Sequence, residues 1–110
     1  MADTFKVLGQ TAPADTSEAT LYTVPEDTMT TVSSIVACNL TGDTPTFRVA
    51  VRPKGATVAN EHYIYYDKAT AANDSIFIII GLTLSDDDIV SVRSSAANKI
   101  AFSIFGVETS

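Results

Sequence analysis

The chain has one cysteine, one histidine and no tryptophan in 110 residues. With Cys38 alone, no disulfide can close inside the chain. One Cys and one His are too few ligands for a zinc-type site. A catalytic thiol would need His62 beside it, and nothing in the spacing joins the two, so Cys38 in Ser34-Ile35-Val36-Ala37-Cys38 is expected to be a small buried hydrophobe. The five glycines (Gly9, Gly42, Gly55, Gly81 and Gly106) are isolated. None forms a phosphate-cradling loop, and each suits a turn or bulge. No apolar stretch approaches the roughly 18 residues of a membrane span. The start, Met1-Ala2-Asp3-Thr4-Phe5-Lys6, lacks a basic-then-apolar signal pattern. The expectation is therefore synthesis in a reducing cytoplasm, without membrane insertion.

Charge is also scarce. Charged residues make up 18% of the chain, below the roughly one quarter usual for globular proteins, and their balance is −6. Such a surface repels phosphate backbones, which argues against nucleic acid as a partner. It keeps a sheet protein soluble and would favour a basic partner over an acidic one. Carboxylates cluster once, at Asp86-Asp87-Asp88. Three consecutive acids cannot all face one ion, and the spacing of a calcium loop is missing, so a turn is expected and no metal. Glu61, Asp67 and Asp74 fall at strand ends, leaving no facing pair for glycoside hydrolysis. No cofactor is implied and no catalytic residue stands out. Asn39-Leu40-Thr41 and Asn73-Asp74-Ser75 have the form of glycosylation sequons, without meaning when no export signal precedes them.

What is present is β-structure from end to end. In Thr46-Phe47-Arg48-Val49-Ala50-Val51-Arg52, Phe47, Val49 and Val51 point one way while Arg48 and Arg52 point the other. Similar segments are expected at Phe5–Gln10, Thr20–Val24, Met29–Asn39, Glu61–Asp67, Ser75–Leu84, Ile89–Arg93 and Ile100–Phe105. Pro25, Leu40–Pro45, Pro53-Lys54-Gly55, Asp86–Asp88 and Asn98 separate them. Eight strands at this spacing predict an all-β fold, an antiparallel sandwich of jelly-roll type, in one domain over residues 13–110. Residues 1–12 are expected as an N-terminal arm or edge strand.

Two features suggest contacts with other molecules. The run Ile76-Phe77-Ile78-Ile79-Ile80 is apolar at every position, which predicts a central strand or a subunit contact. Tyr63, Tyr65 and Tyr66 crowd one strand, and simple alternation puts Tyr63 and Tyr65 on one face with Tyr66 on the other. They could be core and cross-strand packing. Exposed, they could stack on a sugar or anchor a protein interface.

Leu21-Tyr22-Thr23-Val24-Pro25, Thr31 to Asn39, Thr46 to Val51, Tyr63-Ile64-Tyr65-Tyr66-Asp67, Ala72 to Ser75 and Ile80 to Leu84 together resemble small virion structural proteins of tailed bacteriophages, notably those of marine and freshwater bacteria. The resemblance spans residues 5 to about 106. It implies a non-enzymatic virion component, located in the particle, whose partners are other virion proteins and further copies of itself. A capsid decoration or cement protein is the expected role, and a neck, tail or fibre component the alternative. Candidate interface residues are Phe5 and Val7 on an arm that can add a strand to a neighbour's sheet, with Tyr63, Tyr65 and Tyr66. From a different class, a carbohydrate-binding module for host attachment would use the tyrosine strand, with a glycan as ligand.

Overall fold

A computed structural model describes residues 2–110. The chain folds as eight antiparallel strands in two four-stranded sheets. The strands are β1 (Asp3–Thr11), β2 (Ala19–Thr23), β3 (Met29–Asn39), β4 (Thr46–Arg52), β5 (Tyr63–Ala69), β6 (Ser75–Leu84), β7 (Ile89–Ser94) and β8 (Ile100–Thr109). Their order is β1-β8-β3-β6 in the first sheet and β2-β7-β4-β5 in the second. Successive strands change sheets everywhere except between β4 and β5 and are otherwise interleaved. This is the double-layer jelly-roll arrangement the strand spacing predicts.

Local chemistry accounts for the turns. Among the described residues six non-glycine residues have positive φ, and five of them are Asp or Asn: Asp27, Asp67, Asn73, Asp87 and Asn98. These side chains tolerate the left-handed region better than others do. Lys54 (φ 54°) is the exception, and it is fixed from outside. Its backbone N–H donates to Asp88 Oδ1 at 2.9 Å, and its Nζ pairs with Asp86 Oδ1 at 2.6 Å. The Asp86–Asp88 cluster thus ties two turns together.

The core lies between the sheets. Val32, Ile35, Ala37, Ile78, Ile100, Phe102 and Ile104 from the first sheet meet Leu21, Phe47, Val49, Val90 and Val92 from the second. Two glycines permit close backbone approach. A Cβ on Gly9 would lie 2.2 Å from the Leu21 carbonyl oxygen, and one on Gly106 2.2 Å from that of Thr31. Under β1 a polar cluster spans both sheets. Tyr22 Oη donates to Glu108 Oε2 at 2.5 Å and lies 2.8 Å from Thr30 Oγ1, while Lys6 Nζ pairs with Glu108 Oε1 at 2.9 Å. Burial, then the hydrogen bond to Glu108, pushes the Tyr22 hydroxyl well above its usual range. The same bond, reinforced by Lys6, holds the Glu108 carboxyl below the usual carboxylate range.

Two expectations change and one alternative is decided. Of the arm and the edge strand expected over residues 1–12, residues 3–11 form the edge strand β1, which pairs along its length with β8 of the same chain. The Ile76–Ile80 run is not central, because β6 is an edge strand. Only its inward side is covered: Ile78 is 2% exposed, but Phe77 is 67% and Ile79 79% exposed. Cys38 is half-buried on the outer side of β3, not in the core, because the Ser33–Ser34 bulge resets the alternation and leaves Ala37 facing inward.

Candidate functional site

Two outward faces carry the residues that chemistry would use. On the first sheet, cross-strand register aligns three rows. They are Val7–Phe105–Ser34–Ile79, Phe5–Val107–Thr31–Thr83 and Gln10–Ser103–Val36–Phe77, and each crosses all four strands. Residues directly opposite in an antiparallel pair share a face. The rows therefore make one surface with no charged side chain among them. Its four most exposed apolar residues, Phe5, Val7, Phe77 and Ile79, leave on the order of 500 Å² of apolar surface in water. That is the upper end of what a typical monomer shows in one patch, and such patches are often functional. Phe5 and Val7 were legible as candidates. Phe77 and Ile79 join them only because the strand order puts β6 in the same sheet as β1.

The second sheet presents a polar face. Two register shifts in the β4–β5 ladder reorder the tyrosines. Tyr63 lies opposite Ala50, whereas Tyr65 lies opposite Val49, whose side chain is in the core. Simple alternation is thereby overturned: Tyr65 stacks on Phe47 inside the sandwich, with ring centroids 6.0 Å apart. Tyr63 and Tyr66 meet outside it, edge to face at 5.0 Å. The Arg48 guanidinium lies 3.9 Å from the Tyr66 ring centroid and 5.6 Å from that of Tyr63. Arg48 Nε and Nη2 donate to the two carboxylate oxygens of Asp67 at 2.7 and 3.3 Å. This hydrogen-bonded pair holds Asp67 below, and Arg48 above, their usual ranges. Asp67 reaches Arg48 because its left-handed backbone (φ 52°) forms the bulge.

Beside this cluster, Arg93 stands directly opposite Arg48 in the β4–β7 ladder. A cavity of about 270 Å³ opens there, lined by Arg48, Arg93, Asp67, Thr16, Thr46 and Ser95 among others. Neither arginine was singled out by sequence reasoning, since only the ladder brings residues 48 and 93 together.

The other sequence candidates stay apart. Cys38 lies in the first sheet, while His62 precedes β5 of the second, where its Nδ1 accepts a hydrogen bond from the Ala59 N–H at 3.0 Å. Asp86, Asp87 and Asp88 serve their turn. Among the described residues no three His, Cys, Asp or Glu side chains are grouped to hold a metal ion. Asn39 is 2% exposed, and its amide is engaged with Asp43, Thr70 and Ala71. It therefore cannot accept a glycan in the folded chain. Comparisons with known proteins return no match: no family model fits the sequence, and no curated protein or solved structure is significantly similar to it.

Proposed function

We propose that this chain is a non-catalytic structural subunit of a bacteriophage virion, a decoration or cement protein that docks on the capsid through the outer face of its first sheet. The observation that carries the reading is the apolar surface bearing Phe5, Val7, Phe77 and Ile79. A protein of net charge −6 that carries on this broad face only Asp3, at its end and bonded to Thr109, is suited to an apolar partner surface. A basic partner would be met by acids there. The most exposed apolar side chains supply more than half of the roughly 800 Å² each partner contributes to a standard interface. Half-buried Val36, Phe105 and Val107 extend them. The jelly-roll architecture is compatible with this role but serves many others; the virion assignment itself draws on the sequence resemblance.

The test is gradient fractionation of a lysate producing the chain, with quantitative mass spectrometry of the particle band. Decoration predicts on the order of a hundred or more copies per particle, following the repeated sites of a capsid. About six or twelve copies would instead indicate the neck or tail. A chain found only in soluble fractions refutes virion membership. The variants Phe77→Lys and Ile79→Lys are expected to fold, since both side chains are exposed, yet to lose particle binding. Because the face carries only that one terminal charge, wild-type binding should change little with salt. Steep salt dependence would place the contact elsewhere.

A further inference from the structure

The ladder between β4 and β7 contains an unfavourable arrangement that is only half resolved. Arg48 and Arg93 are direct cross-strand partners, and like charges so placed repel. One carboxylate, Asp67, answers the first of them. Among the described residues no carboxylate lies within ion-pair distance of Arg93. Its Nε donates instead to the Thr16 carbonyl at 2.8 Å, which fixes the guanidinium while leaving its terminal nitrogens without an acidic partner. The Thr16 carbonyl is presented by a loop organised through Asp15, whose Oδ1 accepts from the Ser17 N–H at 3.0 Å and the Ser17 hydroxyl at 2.5 Å. The cavity lining itself holds two guanidiniums and one carboxylate, one net positive charge, while Glu18 lies next along the same outer face with its Oε2 accepting from the Ser91 hydroxyl at 2.6 Å.

We propose that the cavity between Arg48 and Arg93 binds the carboxylate of a single acidic sugar unit, of the uronic-acid type. Three observations select that class. The fork of a guanidinium matches a planar carboxylate in a two-bond contact. The net charge of the site matches a monoanion, and Asp67 in the wall opposes the second charge of a phosphate. The remaining walls include Thr16, Thr46 and Ser95, which offer hydroxyl partners to a hydroxylated ring. A volume of about 270 Å³ lies just below the range of pockets for drug-sized ligands, which suits one sugar ring and not a long oligomer. Tyr66, stacked on Arg48, holds the first guanidinium in place. The site is on the opposite sheet from the apolar face, so it stands or falls independently of virion membership.

The experiment is an NMR titration of the arginine side-chain Nε–H resonances of the intact chain with D-glucuronate, D-glucose, acetate and inorganic phosphate. Glucuronate is expected to shift Arg93 and Arg48 saturably, with a dissociation constant on the order of 1 mM from the carboxylate contact and the ring hydroxyl bonds together. Glucose should not bind, and acetate and phosphate should bind about tenfold more weakly or not at all. Arg93→Gln should abolish saturation while leaving the rest of the spectrum unchanged. The proposal is overturned if glucuronate shifts do not saturate, if acetate or phosphate binds as tightly, or if Arg93→Gln retains binding.

Discussion

Asn39 offers the sharpest test of how the sandwich is held together. It ends β3 with a side chain 2% exposed and every polar atom engaged. Nδ2 donates to the Asp43 carbonyl at 2.7 Å and the Ala71 carbonyl at 3.0 Å, with Thr70 Oγ1 a longer third contact at 3.3 Å. Oδ1 accepts from the Thr41 N–H and the Thr41 hydroxyl, both at 3.0 Å. One amide thus clamps the loop after β3 to the loop after β5. Asn39→Ala removes two good donor bonds and two acceptor bonds. At about 0.5–1.5 kcal/mol each, and with water able to reach some of the released groups, the loss should be about 3 kcal/mol. That is a large share of a domain's typical 5–15 kcal/mol. In a 110-residue chain it corresponds to roughly 13 °C in Tm. Asn39→Asp keeps the shape but turns a carboxylate toward two carbonyls, so its deficit should be larger at neutral pH than in acid, where the group can protonate. Urea denaturation at both pH values reads both effects. Thr41→Val should cost less, and its loss should not add to that of Asn39→Ala, because the two residues share their bonds. A loss below about 1 kcal/mol for Asn39→Ala would refute the clamp.

Three further predictions concern stability. Glu108 has a folded pKa below its ordinary value of 4.5, so its contribution is complete above that value and is lost as pH falls through the lower, folded one; Glu108→Gln should therefore cost about 1–2 kcal/mol at pH 7 and flatten the acid limb of a stability-versus-pH curve. Gly106→Ala should destabilise by about 2 kcal/mol or more, since its Cβ would meet the Thr31 carbonyl oxygen at 2.2 Å, whereas Gly81→Ala, with nothing within 4 Å, should be near neutral in thermal melts. Tyr65→Ala should cost about 2–3 kcal/mol through its stack on Phe47, while Tyr66→Ala should cost less than about 1 kcal/mol by losing a surface cation–π contact; equal losses would contradict the register shifts in β5.

The sandwich was legible because its signals are local. Apolar residues at every second position marked β4 and β8, and Asp or Asn marked the places where the chain reverses. What was hidden depends on register or on distant pairing. Alternation fails for the tyrosines because the bulges around Tyr65 and Asp67 carry no unambiguous sequence mark. Arg48 and Arg93 meet, as do Tyr22 and Glu108, only once the interleaved strand order is known. The apolar run in β6 was visible, but its edge position was not, because a buried central strand and an uncovered edge can have the same sequence.

That edge has a consequence for how the chain must live. Sheet edges in stable monomers are blunted by charge, proline, bulges or shortness. Three of the four edges here are so treated: β5 carries Asp67, Lys68 and two register shifts, β2 is five residues long and followed by Pro25, and β1 carries Lys6 and a bulge at Leu8. The fourth, β6, has ten residues, Ser-Ile-Phe-Ile-Ile-Ile-Gly-Leu-Thr-Leu, without a charge or a proline, and only a register shift at Ile80–Gly81 against β3 interrupts it. Its exposed Phe77 and Ile79 border the same face as Phe5 and Val7, contributed by a strand some seventy residues away. Such a segment, left open in water, pairs with whatever strand arrives. On the reading proposed above, the partner surface that meets Phe77 and Ile79 would also cover this edge, and Phe77→Lys or Ile79→Lys would blunt it.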